Sequence, residues 1–128
     1  MKIAALIARI VLGIVFLFFG LNGFLHFPFL NTPLPPGLAG QFLAALTQSH
    51  YGLVVSGIQV ISSVLLLVNR YVPFAMTILA PVIVNILLFH LFLLPQGLAI
   101  AFVVVLLWII LFIRYREYFS GIFVQRAS

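Results

Sequence analysis

The chain has 128 residues, of which 66% are hydrophobic and only 5% are charged, and it carries a formal net charge of +5 with no cysteine. Soluble domains have about a quarter charged residues, so this composition excludes a soluble domain and indicates a membrane protein. The lack of cysteine excludes disulfides, thiolate metal sites and thiol redox relays formed by this chain alone, and basic residues that flank apolar segments favour lipid headgroups over nucleic acid as partners.

Four apolar segments are long enough, or nearly so, to cross a bilayer, which takes about 20 residues in a helix. The predicted spans cover residues 3–27, 51–68, 73–94 and 98–114. The first follows a basic start, but no small-residue cleavage site comes close behind it, so we interpret it as a retained span rather than a signal peptide. Prolines follow the first and third spans, where they disfavour continued helix.

The turns after the second and third spans are short, which forces neighbouring helices to be antiparallel. The predicted fold class is therefore all-α, a transmembrane up-down four-helix bundle in a single domain over residues 1–128. The one long connection covers residues 28–50, and within it Leu38–Gln48 has apolar residues at helical spacing. This pattern predicts a short interfacial helix between the first and second spans.

The basic residues occur in three places along the chain. They are Lys2 and Arg9 at the start, Arg70 in the middle turn, and Arg114, Arg116 and Arg126 in the carboxyl-terminal tail. Four crossings put all three places on one side of the membrane, while the connection 28–50 contains no Lys or Arg. The positive-inside rule therefore predicts cytoplasmic amino and carboxyl termini and an outer connection.

Arg9 lies about 9 Å along the first span, at 1.5 Å per residue. Its long stem allows the guanidinium to reach a lipid phosphate on the cytoplasmic side, which is the interpretation that we favour. The alternative is an ion pair with Glu117, the single acidic residue of the chain, which the predicted topology places near the same membrane face.

Small residues form a stripe on each of the first two spans. On the first span, Gly13, Gly20 and Gly23 form one stripe with Arg9 and Phe16, in which successive members are three or four residues apart. On the second span, Gly52, Ser56, Gln59 and Ser63 share one face. Such stripes let helix backbones approach closely, so they predict helix packing and make these two helices expected neighbours.

Polar side chains gather in the half of the bundle opposite the basic residues. They are Asn22, His26, His50, Gln59, Asn85 and His90. Side chains of this kind inside a membrane need compensating partners, which makes them a hypothetical ligand site. These residues lie at similar depths in the membrane, but His90 lies about 140° around the helix from Asn85 at 100° per residue. The sequence therefore leaves open whether they converge on one pocket.

Three chemistries compete for this polar set. A quinone headgroup needs hydrogen-bonding groups such as His, Asn or Gln and apolar walls for its tail. Haem would need a pair of axial ligands from His26, His50 and His90, while zinc usually needs three histidines or a carboxylate, so we expect no metal site. The plainest alternative is that each polar group caps a helix or forms an interhelical hydrogen bond.

Two segments resemble the DoxX-like family of small four-helix bacterial membrane proteins. They are ARIVLGIVFLFFGLNGFLHF (Ala8–Phe27) and NRYVPFAMTILAPVIVNILLFHLF (Asn69–Phe92), and the order and spacing of the spans extend the resemblance over nearly the whole chain. The resemblance implies a bacterial inner-membrane location. It also implies relatives that serve as membrane subunits of quinone-linked thiosulfate oxidoreductases or as anchors for soluble redox enzymes.

The first-helix pattern of that family is matched by Arg9, Gly13, Gly20 and Asn22. A lysine that is common after this asparagine is replaced here by Gly23, and the place of a frequent glutamate is taken by Gln59, which cannot accept a proton. If the redox members use those two ionisable groups, this chain lacks them, so their redox activity does not transfer directly.

Three functional hypotheses follow. The leading one is an accessory or anchoring subunit of a larger membrane assembly, which contacts lipid and either partner subunits or further copies of itself and has no catalytic activity of its own. The second is a quinone-binding subunit of an oxidoreductase that uses the polar set. The third is a carrier of small molecules or lipids. Hydrolase and kinase chemistry has no residues to support it, since paired carboxylates, a Ser/His/Asp arrangement and a phosphate-binding glycine loop are all absent.

Overall fold

The computed structural model describes residues 2–27 and 33–126. Over these residues the chain is helical, without a β-strand. The helices are α1 (Lys2–Leu25), α2 (Gly37–Gln48), α3 (Tyr51–Val68), α4 (Val72–Phe92) and α5 (Leu98–Tyr115), with a 3₁₀ turn at Pro95–Gly97 and a 3₁₀ helix at Arg116–Phe123. The predicted all-helical fold is confirmed.

Four of these helices are long and apolar enough to cross a membrane: α1, α3, α4, and α5 with its 3₁₀ extensions. The first and third predicted spans extend two residues past the ends of α1 and α4, and α3 coincides with the second predicted span. The short helix expected in the long connection is α2. The orientation of these helices in a bilayer and the interfacial position of α2 stay predictions.

Left-handed residues end or begin the long helices and keep their connections short. Asn69 (φ 58°) ends α3, where the backbone N–H of Arg70 donates to the carbonyl of Leu65 at 3.0 Å. This is a common way to satisfy the last carbonyls of a helix, and asparagine tolerates the left-handed conformation. Tyr71 (φ 54°) then precedes α4, which has a proline in its first turn.

The four long helices form a bundle in which α1 and α4 each pack against both α3 and α5. The most extensive interface is the one between α1 and α3. The core is mostly apolar, and its fully buried large side chains are Leu12, Leu66, Met76, Leu79 and Leu111. Ser62 and Ser63 are also fully buried, and their hydroxyls donate to carbonyl oxygens of α3 itself. Most of the remaining surface of the long helices is apolar and exposed, as expected of helices that meet lipid or other proteins.

Glycines of α1 allow its close approach to α3. A Cβ atom at Gly20 would lie 3.1 Å from the carbonyl oxygen of Ser56, and one at Gly13 would lie 3.4 Å from the carbonyl oxygen of Ser63. Gly23 faces the side chain of Ser56. The stripe on α3 is divided, because Gly52 packs against α2, where a Cβ atom would lie 3.2 Å from the carbonyl oxygen of Leu46.

Arg9 binds the carboxyl-terminal end of α3. Its Nη1 donates to the carbonyl oxygen of Leu66, and the same atom is 3.5 Å from the carbonyl oxygen of Leu67. The last carbonyls of a helix lack intrahelical donors and carry partial negative charge, so a cation there is favourable. This contact requires neither the lipid phosphate nor the ion pair with Glu117 that the sequence suggested as partners for Arg9.

Glu117 lies elsewhere, in a cleft of about 300 Å³ that it lines with Lys2, Arg114 and Arg116. The described residues form no Arg9–Glu117 ion pair, because Arg9 is turned toward α3.

We call the side of the bundle that carries Lys2, Arg114 and Arg116 the basic end. The opposite side, which carries α2, is the α2 end.

The 3₁₀ helix at the basic end was not expected from the sequence. Its Phe119 is buried, and the ring centroid lies 5.3 Å from that of Phe112 in α5. Ile122 and Phe123 are exposed. Phe123 also meets the Phe112 ring edge-on, with centroids 6.4 Å apart, so Phe112 of α5 holds this segment through two aromatic contacts.

Candidate functional site

A cavity of about 650 Å³ lies at the α2 end, between α2, α3 and α4. Most of its wall is apolar, with Phe42, Leu43 and Leu46 from α2, Val55 and Ile58 from α3, and Val82, Ile86 and Phe89 from α4. Three polar side chains of the predicted set, Gln59, Asn85 and His90, also line it. An apolar cavity of a few hundred cubic ångströms with a few polar groups is the usual form of a small-molecule site.

Helix α2 forms one wall because it is packed on both α3 and α4. The rings of Phe42 and Phe89 lie with centroids 5.5 Å apart, and Gly52 lets the start of α3 approach the end of α2. The chain enters α2 through Gly37 (φ 75°) and leaves it through His50 (φ 63°). These two left-handed residues allow the sharp changes of direction that lay α2 across the cavity.

His90 is held in one orientation by three neighbours. Its Nδ1 lies 3.0 Å from the carbonyl oxygen of Leu94, and its ring stands edge-on to Phe89 with centroids 5.1 Å apart. A Cβ atom at Gly97 would lie 3.0 Å from Nε2 and closer still to Cε1 and Nδ1, so the ring occupies the space that the glycine leaves. The ring is half-buried, and Nε2 forms no hydrogen bond with the described part of the chain.

Asn85 also has a fixed amide. Its Nδ2 donates to the carbonyl oxygen of Pro81, one turn earlier on α4, at 2.9 Å. This bond orients the exposed side chain and leaves Oδ1 as an acceptor and the second Nδ2 hydrogen as a donor. Asparagine inside a helix commonly bonds back to the preceding turn in this way.

Gln59 is half-buried on α3, and its Cβ packs beside Gly20 of α1. Its amide makes no hydrogen bond to any described residue. Within residues 2–27 and 33–126, every fully buried polar side-chain atom has a hydrogen-bond partner, so the unbonded Gln59 amide is not fully buried. The amide is therefore accessible from the cavity that it lines. It offers a donor and an acceptor to a bound molecule.

The other members of the polar set lie outside the cavity. Asn22 Oδ1 accepts the backbone N–H of Phe27 at 2.8 Å, so this side chain caps the end of α1. His26 (φ 52°) follows α1 and is exposed, and His50 is exposed at the start of α3. In the described ranges no three His, Cys, Asp or Glu side chains are placed to hold a metal ion.

The cavity also includes residues that sequence reasoning did not single out. Ser49 and Tyr51 contribute to its lining at the junction of α2 and α3. The Ser49 hydroxyl donates to the carbonyl of Ala45 at 2.6 Å and accepts the Tyr51 backbone N–H at 3.3 Å. In the sequence, the Ser-His-Tyr stretch at this junction predicts a turn, and nothing in it indicates that the residues line a cavity.

Comparison with known protein families, curated proteins and solved structures gives no significant match. The resemblance to the DoxX-like family therefore stays a prediction.

Proposed function

We propose that the protein is a small integral membrane protein that binds an amphiphilic molecule of the quinone class in the cavity between α2, α3 and α4. The observation that supports this proposal is the presence of Gln59, Asn85 and His90 on the wall of one largely apolar cavity. Its volume of about 650 Å³ lies within the range of roughly 300–1,000 Å³ that is common for small-molecule sites.

The residues of the cavity fit such a molecule. The amides of Gln59 and Asn85 can donate to an oxygen of the headgroup, and His90 can accept from a hydroxyl group of its reduced form. The leucine, isoleucine and phenylalanine side chains would pack against the ring and the start of the tail. A bound quinone supplies two-electron, two-proton redox chemistry. The chain itself would orient the headgroup.

We further propose that the protein works as a membrane subunit of a larger assembly. The single acidic residue, Glu117, is at the basic end, and the chain has no cysteine. The cavity therefore contains no carboxylate or thiol, and electrons for a bound quinone would come from a partner. The outward face of α5, with exposed Phe102, Leu106 and Ile109, offers an apolar surface for lipid or for that partner.

Titration of a short-tailed benzoquinone into the purified protein in lipid nanodiscs tests ligand binding, with empty nanodiscs as the blank. Gln59→Leu keeps the side-chain size but removes the amide, so the affinity should fall about fivefold, the value of one hydrogen bond of about 1 kcal/mol. Thr77→Ala is the matched control, since this exposed residue of α4 bonds only within its own helix. Binding equal to that of empty nanodiscs, or equal losses in both variants, would contradict the proposal.

A further inference from the structure

We infer that the cavity binds the reduced quinol in preference to the oxidised quinone, an inference that rests on the proposed function. The two forms differ in hydrogen bonding: a quinone oxygen can only accept, whereas a quinol hydroxyl can also donate. The balance of donors and acceptors on the cavity wall therefore selects between them.

The hydrogen bond of His90 fixes the tautomer of its ring. The carbonyl oxygen of Leu94, 3.0 Å from Nδ1, is an acceptor only, so Nδ1 carries the proton. In the neutral ring Nε2 then has a lone pair and acts as an acceptor. Rotation of the ring that would present a donor instead would break this bond and disturb the packing on Gly97 and Phe89.

Asn85 has no such bias. One hydrogen of its Nδ2 is used by the carbonyl oxygen of Pro81, and the second hydrogen and Oδ1 stay without a partner in the described chain, so the exposed side chain can still donate and accept. Of the three side chains, His90 alone offers an acceptor without a donor beside it, since Asn85 and Gln59 can each form both kinds of hydrogen bond.

A quinol satisfies this arrangement better than a quinone. A quinol hydroxyl can donate to His90 Nε2, while the amides of Asn85 and Gln59 can pair with either form. A quinone oxygen placed against His90 Nε2 would form no hydrogen bond and would lose the water that it bonded in solution, which is costly in an apolar site. The same chemistry predicts that other phenols of similar size bind better than their carbonyl counterparts.

The test is an anaerobic titration of the protein in nanodiscs with a short-tailed benzoquinone and, separately, with the chemically reduced quinol. We expect the quinol to bind at least about fivefold more tightly. In His90→Phe, which keeps an aromatic ring but has no acceptor, this ratio should fall toward one, while Thr77→Ala should retain it. Equal affinities, tighter quinone binding, or an unchanged ratio in His90→Phe would overturn the inference but leave the proposed ligand site standing. Failure of both forms to bind would instead remove the proposed function.

The tautomer can be measured without any ligand or substitution. Nitrogen NMR of the histidine-labelled protein should show one ring, assignable to His90, with Nδ1 protonated and Nε2 unprotonated. The opposite tautomer would overturn the inference, even if the quinol binds more tightly.

Discussion

Substitution of Gly23 by alanine should destabilise the packing of α1 on α3. A Cβ atom at this position would lie 2.7 Å from Ser56 Cβ and even closer to the Ser56 hydroxyl. Non-bonded carbons rest about 3.5–4.0 Å apart, so α1 and α3 would have to separate locally by about 1 Å. Overpacking of this kind costs about 1–3 kcal/mol.

Gly57→Ala on α3 is the matched control. Its new Cβ atom would lie 3.9 Å from Phe24 Cζ, an ordinary contact. Both substitutions replace a helical glycine by alanine, so both gain helix propensity of about 1 kcal/mol. The difference in the free energy of unfolding between the two variants, which should be about 1–3 kcal/mol, therefore isolates the packing cost.

Reversible unfolding in mixed micelles with increasing dodecyl sulfate, followed by circular dichroism, measures this difference. A second comparison uses Ser56→Gly, which removes the obstructing Cβ atom. In that background Gly23→Ala should cost clearly less, so the double variant should be destabilised by less than the sum of the two single variants. Equal stabilities of the Gly23→Ala and Gly57→Ala proteins, or no coupling to Ser56, would refute the close α1–α3 contact.

Two further predictions concern Arg9 and the support of His90. Arg9→Met should lower the free energy of unfolding by about 1–2 kcal/mol because the last carbonyls of α3 lose their charged donor. Lys2→Met removes the same charge from an exposed position and should have little effect. Equal losses of stability in the two variants would contradict this function of Arg9. Gly97→Ala should displace the ring of His90 and reduce the affinity for the quinol in the titration described above. Gly121→Ala, whose new Cβ atom would meet nothing within 4 Å, should bind the quinol normally. Normal affinity in Gly97→Ala would show that the position of the His90 ring does not matter for binding.

Helix positions could be predicted well from the sequence because their ends depend on local chemistry. The asparagine at position 69, the proline-rich stretch after α1 and the Pro95–Gly97 turn each interrupt a helix for reasons that lie within a few residues. The 3₁₀ helix at the basic end was missed, since it depends on the contact of Phe119 with Phe112, a tertiary interaction that no periodicity announces.

The candidate site was predicted only in part. The common height of Gln59, Asn85 and His90 follows from residue counts along the spans, but an ideal helix places Asn85 and His90 on different faces. Both line the cavity because it lies between α4 and two other helices, α2 and α3, and therefore extends over more than one face of α4. The position of α2 depends on long-range packing such as the Phe42–Phe89 contact.

The partner of Arg9 could not be predicted from the sequence. The sequence led to a charged partner, either a lipid phosphate or Glu117, because isolated charges are costly in a membrane. Backbone carbonyls at the end of α3 supply the negative partial charge instead. Such a partner becomes visible only when the register of α1 against α3 is known.

Photolabelling tests most directly whether the cavity between α2, α3 and α4 is a ligand site. The protein in nanodiscs would be irradiated with an azido-benzoquinone, with and without an excess of unlabelled quinol, and the modified residues identified by peptide mass spectrometry. The account predicts labelling of cavity residues such as Phe42, Tyr51 or Phe89 that the quinol suppresses. Labelling confined to the outward face of α5, or labelling that the quinol does not reduce, would contradict it.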